Sequence, residues 1–138
     1  MTYLPTIIGT IVVFIVLILV GSIWSDRRLR THQGVSREEF AAAFTPISLA
    51  PTIPQAVYDY YRKSVWLKDF RSAPDDELLK VFMKGEDDIE DDARFILREL
   101  GIKVDPSDPA VRPKKSIRTL RDMVLWLDAI VKQQSASR

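Results

Sequence analysis

Residues 6–24 read TIIGTIVVFIVLILVGSIW, and this stretch decides how the rest of the chain is interpreted. None of the 19 residues carries a charge, and most are Ile, Val, Leu or Phe. As an α-helix they extend about 28 Å, which matches the hydrocarbon thickness of a bilayer. A helix is also the one single segment that satisfies its own backbone polar groups in lipid. The stretch therefore predicts a transmembrane anchor, which we place at residues 1–25.

The charges beside the anchor predict its orientation. A cleaved secretory signal is disfavoured because no basic region precedes the apolar run and no small-residue cleavage site follows it. Residues 1–5 carry no side-chain charge, whereas Arg27, Arg28 and Arg30 follow the run at once. Because basic flanks stay inside, we expect a single-pass protein of the inner or plasma membrane, with its N-terminus outside and its C-terminal domain cytoplasmic. Trp24 and the three arginines are the residues predicted to lie at the membrane interface.

Composition excludes several classes of function. The chain has 138 residues, 20 basic and 19 acidic, and a net charge of +1, so no overall field favours a nucleic-acid partner. The absence of cysteine excludes disulfides, thiolate metal sites and a cysteine nucleophile, and the single histidine excludes multi-histidine zinc centres. No nucleophile, base and orienting residue can be combined from what remains. We therefore predict a protein that is not an enzyme, with no catalytic, cofactor-binding or metal-binding residues.

Helical spacing dominates the chain beyond the anchor and predicts an all-α fold. Ser36 and Thr52 each begin a capping-box pattern, and Thr119 begins a third with Asp122. Apolar residues at 89, 93, 96, 97 and 100 share one helix face that ends at Gly101. Acidic residues 75–77 are predicted to form the first turn of a short helix ended by Gly85, and the proline-containing segment 102–115 is predicted to be irregular.

These elements predict a single N-terminal transmembrane helix followed by a small helical bundle. We divide the chain into the anchor, a juxtamembrane linker with a short helix (26–52), a helical soluble domain (53–132) and a polar tail (133–138).

An acidic segment is the most distinctive local feature. Residues 75–92 hold nine acidic residues against two lysines, but they lack the ligand order of a calcium-binding loop. Two interpretations stay open. The segment is either a surface that docks a basic partner or a solvated helix start, where Asp and Glu are common. The docking residues would be Asp87, Asp88, Glu90, Asp91 and Asp92.

Two further features bear on partners. Leu125 and Trp126 lie off the main apolar face of the last helix, which predicts that this helix is central or covered by another subunit and adds Trp126 to the docking residues. Residues 112–121 contain five cations, which could contact anionic lipid headgroups or nucleic acid, or face the acidic segment within the fold. The absence of interleaved aromatic residues disfavours nucleic acid.

The order of elements from 53 to 131 resembles the acyl carrier protein superfamily. The similarity rests on DDELLKVFMKGEDDIEDDARFILRELGI (75–102) and SIRTLRDMVLWL (116–127). The resemblance implies a four-helix scaffold whose acidic second helix docks basic partners. Carrier proteins present an Asp-Ser-Leu whose serine accepts phosphopantetheine, but here Asp87, Asp88 and Ile89 stand in its place, with no serine between Lys84 and Arg94. The attachment point is therefore missing.

We expect a non-catalytic accessory subunit of a larger integral membrane protein complex, of respiratory or photosynthetic type, that docks on the cytoplasmic face of that complex. The alternatives are a membrane-tethered carrier-like domain and a regulator that binds a basic soluble partner through its acidic helix. The lipid bilayer itself is a predicted partner, with contacts to anionic lipids.

Overall fold

The computed structural model describes residues 3–47, 50–105 and 107–137, so Pro106 and Arg138 of the predicted loop and tail lie outside it. The described residues form six α-helices and no strand, which confirms the all-α class. The helices are α1 (Leu4–Arg30), α2 (Arg37–Ala42), α3 (Thr52–Ser64), α4 (Leu78–Phe82), α5 (Glu86–Glu99) and α6 (Leu120–Ala136), with 3₁₀ turns at Thr45–Ile47 and Pro109–Val111. The chain divides into two compact units, Met1–His32 and Gln33–Arg138.

The first unit is dominated by α1, whose 27 residues extend about 40 Å. Pro5 lies in the first turn, where its missing N–H has no helical partner to lose, and three arginines lie in the last turn. Between Leu4 and Ile23, its Ile, Val, Leu and Phe side chains are all between 50% and 66% exposed. Among the described helices, α1 alone is long and apolar enough to cross a membrane, with a mean hydropathy of 2.8 over its most apolar stretch.

The second unit is built around α3, which packs against α2, α5 and α6, while α5 also contacts α6. The helices bury one face each because their apolar residues recur at helical spacing. The fully buried side chains of this core include Tyr61 and Val57 of α3, Ile96 and Leu97 of α5, and Leu120, Met123, Val124 and Leu127 of α6.

Helix α2 belongs to this core rather than to a linker. Phe40 and Phe44 are completely buried, and the Phe40 ring lies 5.3 Å from that of Tyr58 on α3. The structure therefore differs from the predicted division of the chain. The boundary falls after His32, α1 continues through Arg30, and the predicted polar tail is helical as far as Ala136.

The entry into the second unit is closely packed around Gly34. A Cβ atom at this position would lie 1.7 Å from the carbonyl oxygen of Arg71, so the backbone approach requires glycine. The N–H of Val35 donates to the carbonyl of Ser72 (3.1 Å), and the Tyr58 hydroxyl donates to the carbonyl of Val35 (3.0 Å). The chain is therefore fastened to two separate parts of the domain before α2 begins.

The helix caps agree with the sequence at two of three predicted boxes. The boxes at Ser36 and Thr119 are formed, with reciprocal hydrogen bonds to Glu39 and Asp122. The box predicted at Thr52 is wrong, because Pro51 occupies the N-cap and no side chain caps the helix. Residue 101, a glycine with φ +75°, follows the end of α5 as predicted.

The prediction of an acidic first turn for α4 is also wrong. Glu77 is its N-cap and the helix begins at Leu78. The carboxylate of Asp76 instead accepts the N–H of Ala73 (2.7 Å), which ties it into the preceding turn. Met83, with φ 57°, ends α4.

Candidate docking surface

The first two turns of α5 present a row of exposed carboxylates. Gly85 is the N-cap of α5, whereas the sequence predicted that it ends the preceding helix. We define the acidic edge as the five exposed side chains of these turns: Glu86, Asp87, Asp88, Glu90 and Asp91.

Much of the charge of the acidic edge is left at the surface. Asp88 accepts the N–H of Gly85 (3.0 Å) and so caps the helix from an exposed position. Glu90 and Asp91 both approach Arg94, at 3.6 and 3.3 Å. Exposed pairs of this kind contribute little to stability and leave their charges accessible to a partner.

Asp92 does not belong to this surface, which corrects its assignment as a docking residue. It is only 4% exposed, and its side chain points toward α3. The Tyr61 hydroxyl donates to Oδ2 (3.0 Å), the Tyr60 hydroxyl donates to Oδ1, and Lys84 Nζ lies 3.3 Å from Oδ1. Burial together with the neighbouring carboxylate raises the pKa of both tyrosines above its ordinary value. Asp92 therefore joins α5 to α3.

Two exposed apolar side chains lie next to the acidic edge in the chain. Leu79 is 65% exposed and Met83 is 80% exposed, whereas Leu78 and Phe82 of the same short helix are buried. Met83 lies two residues before the N-cap of α5. Neither Leu79 nor Met83 was identified from the sequence as part of a surface. The offset of Leu79 by one residue from Leu78 and Phe82 is the signal that could have identified an outward face. Met83 lies outside the helix, as its left-handed C-cap.

Trp126 is half-buried and is covered in part by its own chain. Its Nε1–H donates to the carbonyl of Val111 (3.1 Å), next to the 3₁₀ turn before α6. A small cavity of about 100 Å³ lies between Trp126, Glu90 and Arg112. The near-apolar character of α6 is thus explained partly by packing within the domain rather than by another subunit.

The basic residues of the segment 112–121 have mixed surroundings. Arg121 Nε lies 2.7 Å from Asp75, and this hydrogen bond lowers the pKa of the Asp75 carboxyl. Lys115 Nζ lies 3.4 Å from Asp122 and shares a groove of about 310 Å³ with Glu86 and Glu90. Part of the positive charge therefore does face acidic residues of the fold.

The residues predicted for the membrane interface lie at the C-terminal end of α1. Trp24 is 76% exposed, and Arg27 and Arg28 are exposed as well. Arg30 Nε pairs with Asp26 one turn earlier, at 2.9 Å.

Comparison with known proteins adds no family. No family model, no curated protein and no solved structure matches the chain. The carrier-like scaffold therefore stays a prediction.

Proposed function

We propose that this protein is a single-pass, non-catalytic interaction subunit whose helical domain docks a basic partner on the cytoplasmic face of a larger membrane protein complex. The observation that carries the proposal is the acidic edge, five carboxylates exposed on two turns of α5, together with the exposed Leu79 and Met83 that precede them in the chain. Interfaces commonly combine apolar contacts at the centre with a charged rim that selects the partner. An energy-converting complex of respiratory or photosynthetic type is the host we favour.

The anchor supports the membrane part of this proposal. A 27-residue helix with half-exposed Ile, Val, Leu and Phe on all sides would form a large apolar surface in water. Lipid removes that surface from water, and the arginines of its last turn favour a cytoplasmic C-terminal side.

The test is charge reversal in the full-length chain in its native membranes. Asp87→Lys with Asp91→Lys removes two exposed carboxylates of the acidic edge. The matched control, Asp69→Lys with Glu99→Lys, changes the net charge equally at exposed positions outside the edge. After mild detergent extraction we expect the wild type and the control to migrate with the complex, whereas the edge variant is released. A wild-type chain that leaves native membranes as a monodisperse monomer would contradict the proposal.

A second candidate is a membrane-tethered carrier-like domain. The succession of α3, the short α4, α5 and α6 around one core supports a scaffold of that kind. In the sequence resemblance Asp88 stands in place of the carrier serine, and its carboxylate accepts the N–H of Gly85, which favours docking without group transfer. Intact mass of the protein purified from its native membranes distinguishes the two, since a phosphopantetheine adduct on any serine would favour the carrier.

A further inference from the structure

A second charged surface lies between the last 3₁₀ turn and α6. We define the basic loop as residues 111–118, which contain four cations and no acidic residue. All four cationic side chains are exposed: Arg112, Lys114, Lys115 and Arg118.

The backbone of the basic loop is held in place at both ends. At its start, Trp126 donates to the carbonyl of Val111, and near its end the carbonyl of Arg118 accepts the N–H of Leu78 (2.9 Å). Ile117, between these points, is buried. The cations are therefore carried by a fixed surface rather than by a free tail, which reduces the entropy lost when that surface binds.

The tether that precedes the domain is short. Five residues, 31–35, separate the last residue of α1 from Ser36, the N-cap of α2. A fully extended chain of five residues spans at most about 18 Å. If α1 crosses the bilayer, the tether holds the domain close to the lipid headgroups. The effective concentration of lipid at the surface of the domain is then high.

We propose that the basic loop binds the anionic headgroups of the same membrane that α1 crosses. This inference rests on the membrane anchor of the proposed function but not on the acidic edge. Anionic lipids give the cytoplasmic surface a negative potential, and each lysine or arginine close to it strengthens association roughly fivefold. The four exposed cations complement that potential, and the tether limits how far from the membrane surface they can lie.

The acidic residues beside the loop oppose this contact. Glu86 and Glu90 line the same groove as Lys115 and Ser116. Replacing both glutamates with glutamine removes like-charge repulsion from the membrane, so we expect stronger attachment of the loop.

The experiment uses the absence of cysteine from the chain. Ser116→Cys in the full-length protein carries a spin label in the basic loop, and Ser64→Cys, also exposed, carries it at the end of α3 as the control. Both are reconstituted in vesicles of phosphatidylcholine alone or mixed with phosphatidylglycerol. Collision of the label with a lipid-soluble relaxation agent reports its approach to the headgroups.

We expect the label at 116, but not that at 64, to approach the lipid when phosphatidylglycerol is present and to withdraw at high salt. Arg112→Gln, Lys114→Gln and Arg118→Gln together should abolish the approach, with a loss of roughly fivefold per charge. Equal collision rates in the two lipid mixtures would overturn the proposal. An approach that depends on the protein-to-lipid ratio rather than on lipid charge would overturn it in favour of a second copy. Extraction of the protein by alkaline carbonate would instead refute the anchor.

Discussion

At the scale of single residues, two adjacent residues of one acidic run have different roles. Asp91 is exposed beside Arg94, whereas the next residue, Asp92, is buried and bound by two tyrosine hydroxyls and a lysine. Both belong to the same run in the sequence, and only the rotation of about 100° per residue along α5 places one outward and one inward. A buried carboxylate with this many partners is strongly destabilising to remove, because the hydroxyls and the ammonium lose their acceptor.

We therefore expect Asp92→Asn to lower the free energy of unfolding by about 2 to 3 kcal/mol. Asp91→Asn, the matched control, should change it by less than about 0.5 kcal/mol, since exposed ion pairs contribute little. Chemical denaturation of the full chain in detergent, followed by near-ultraviolet circular dichroism of the tyrosines, measures both. Equal effects of the two substitutions would show that Asp92 is not held as described.

At the scale of helices, the sequence predicted which helices form more accurately than the residue at which each helix begins. Periodic apolar residues identified α3, α5 and α6, because burial of one face is their main source of stability. The start of α3 was mistaken because a capping pattern also matches wherever Thr and Gln happen to lie three apart. The start of α4 was mistaken because Asp75 and Asp76 bind Arg121 and Ala73 instead. Such choices depend on distant residues that local spacing does not contain.

The two capping patterns allow a direct comparison. Thr119→Ala should lower the free energy of unfolding by about 1 kcal/mol, because the hydroxyl accepts the N–H of Asp122 at the start of α6. Thr52→Ala should change it by less than about 0.5 kcal/mol, because no side chain caps α3. Thermal unfolding followed by far-ultraviolet circular dichroism ranks the two variants, and a larger effect at Thr52 would contradict the capping assignment.

At the scale of the whole molecule, the uncharged run at 6–24 and the helical spacing beyond it predicted an apolar helix followed by a helical unit. They did not identify every residue of the candidate docking surface. Four of the five carboxylates of the acidic edge, all but Glu86, were predicted as docking residues because charge is visible in a sequence. Leu79 and Met83 were not, because exposure of an apolar residue depends on which side of a short helix and of its cap meets the core. Phe40 and Phe44 were assigned to a linker because the sequence does not show that their side chains are buried against the core.

The predicted orientation can be tested with single cysteines, since the natural chain has none. A membrane-impermeant maleimide added to intact cells should label Tyr3→Cys and leave Ser64→Cys unlabelled until the membrane is opened, because basic residues follow α1 and keep the domain inside. Mass spectrometry measures the labelled fraction. Labelling at 64 in sealed cells would reverse the assigned topology.

The fastening at Gly34 and Val35 has a mechanical consequence. Any pull on the anchor by a moving neighbour enters the domain at Val35, whose N–H and carbonyl are bonded to Ser72 and to Tyr58. The force is then shared between the loop that contains Ser72 and the central helix α3. Helix α2 is therefore not unfolded one turn at a time. Resistance to force of this kind would suit the proposed attachment of the domain to a membrane.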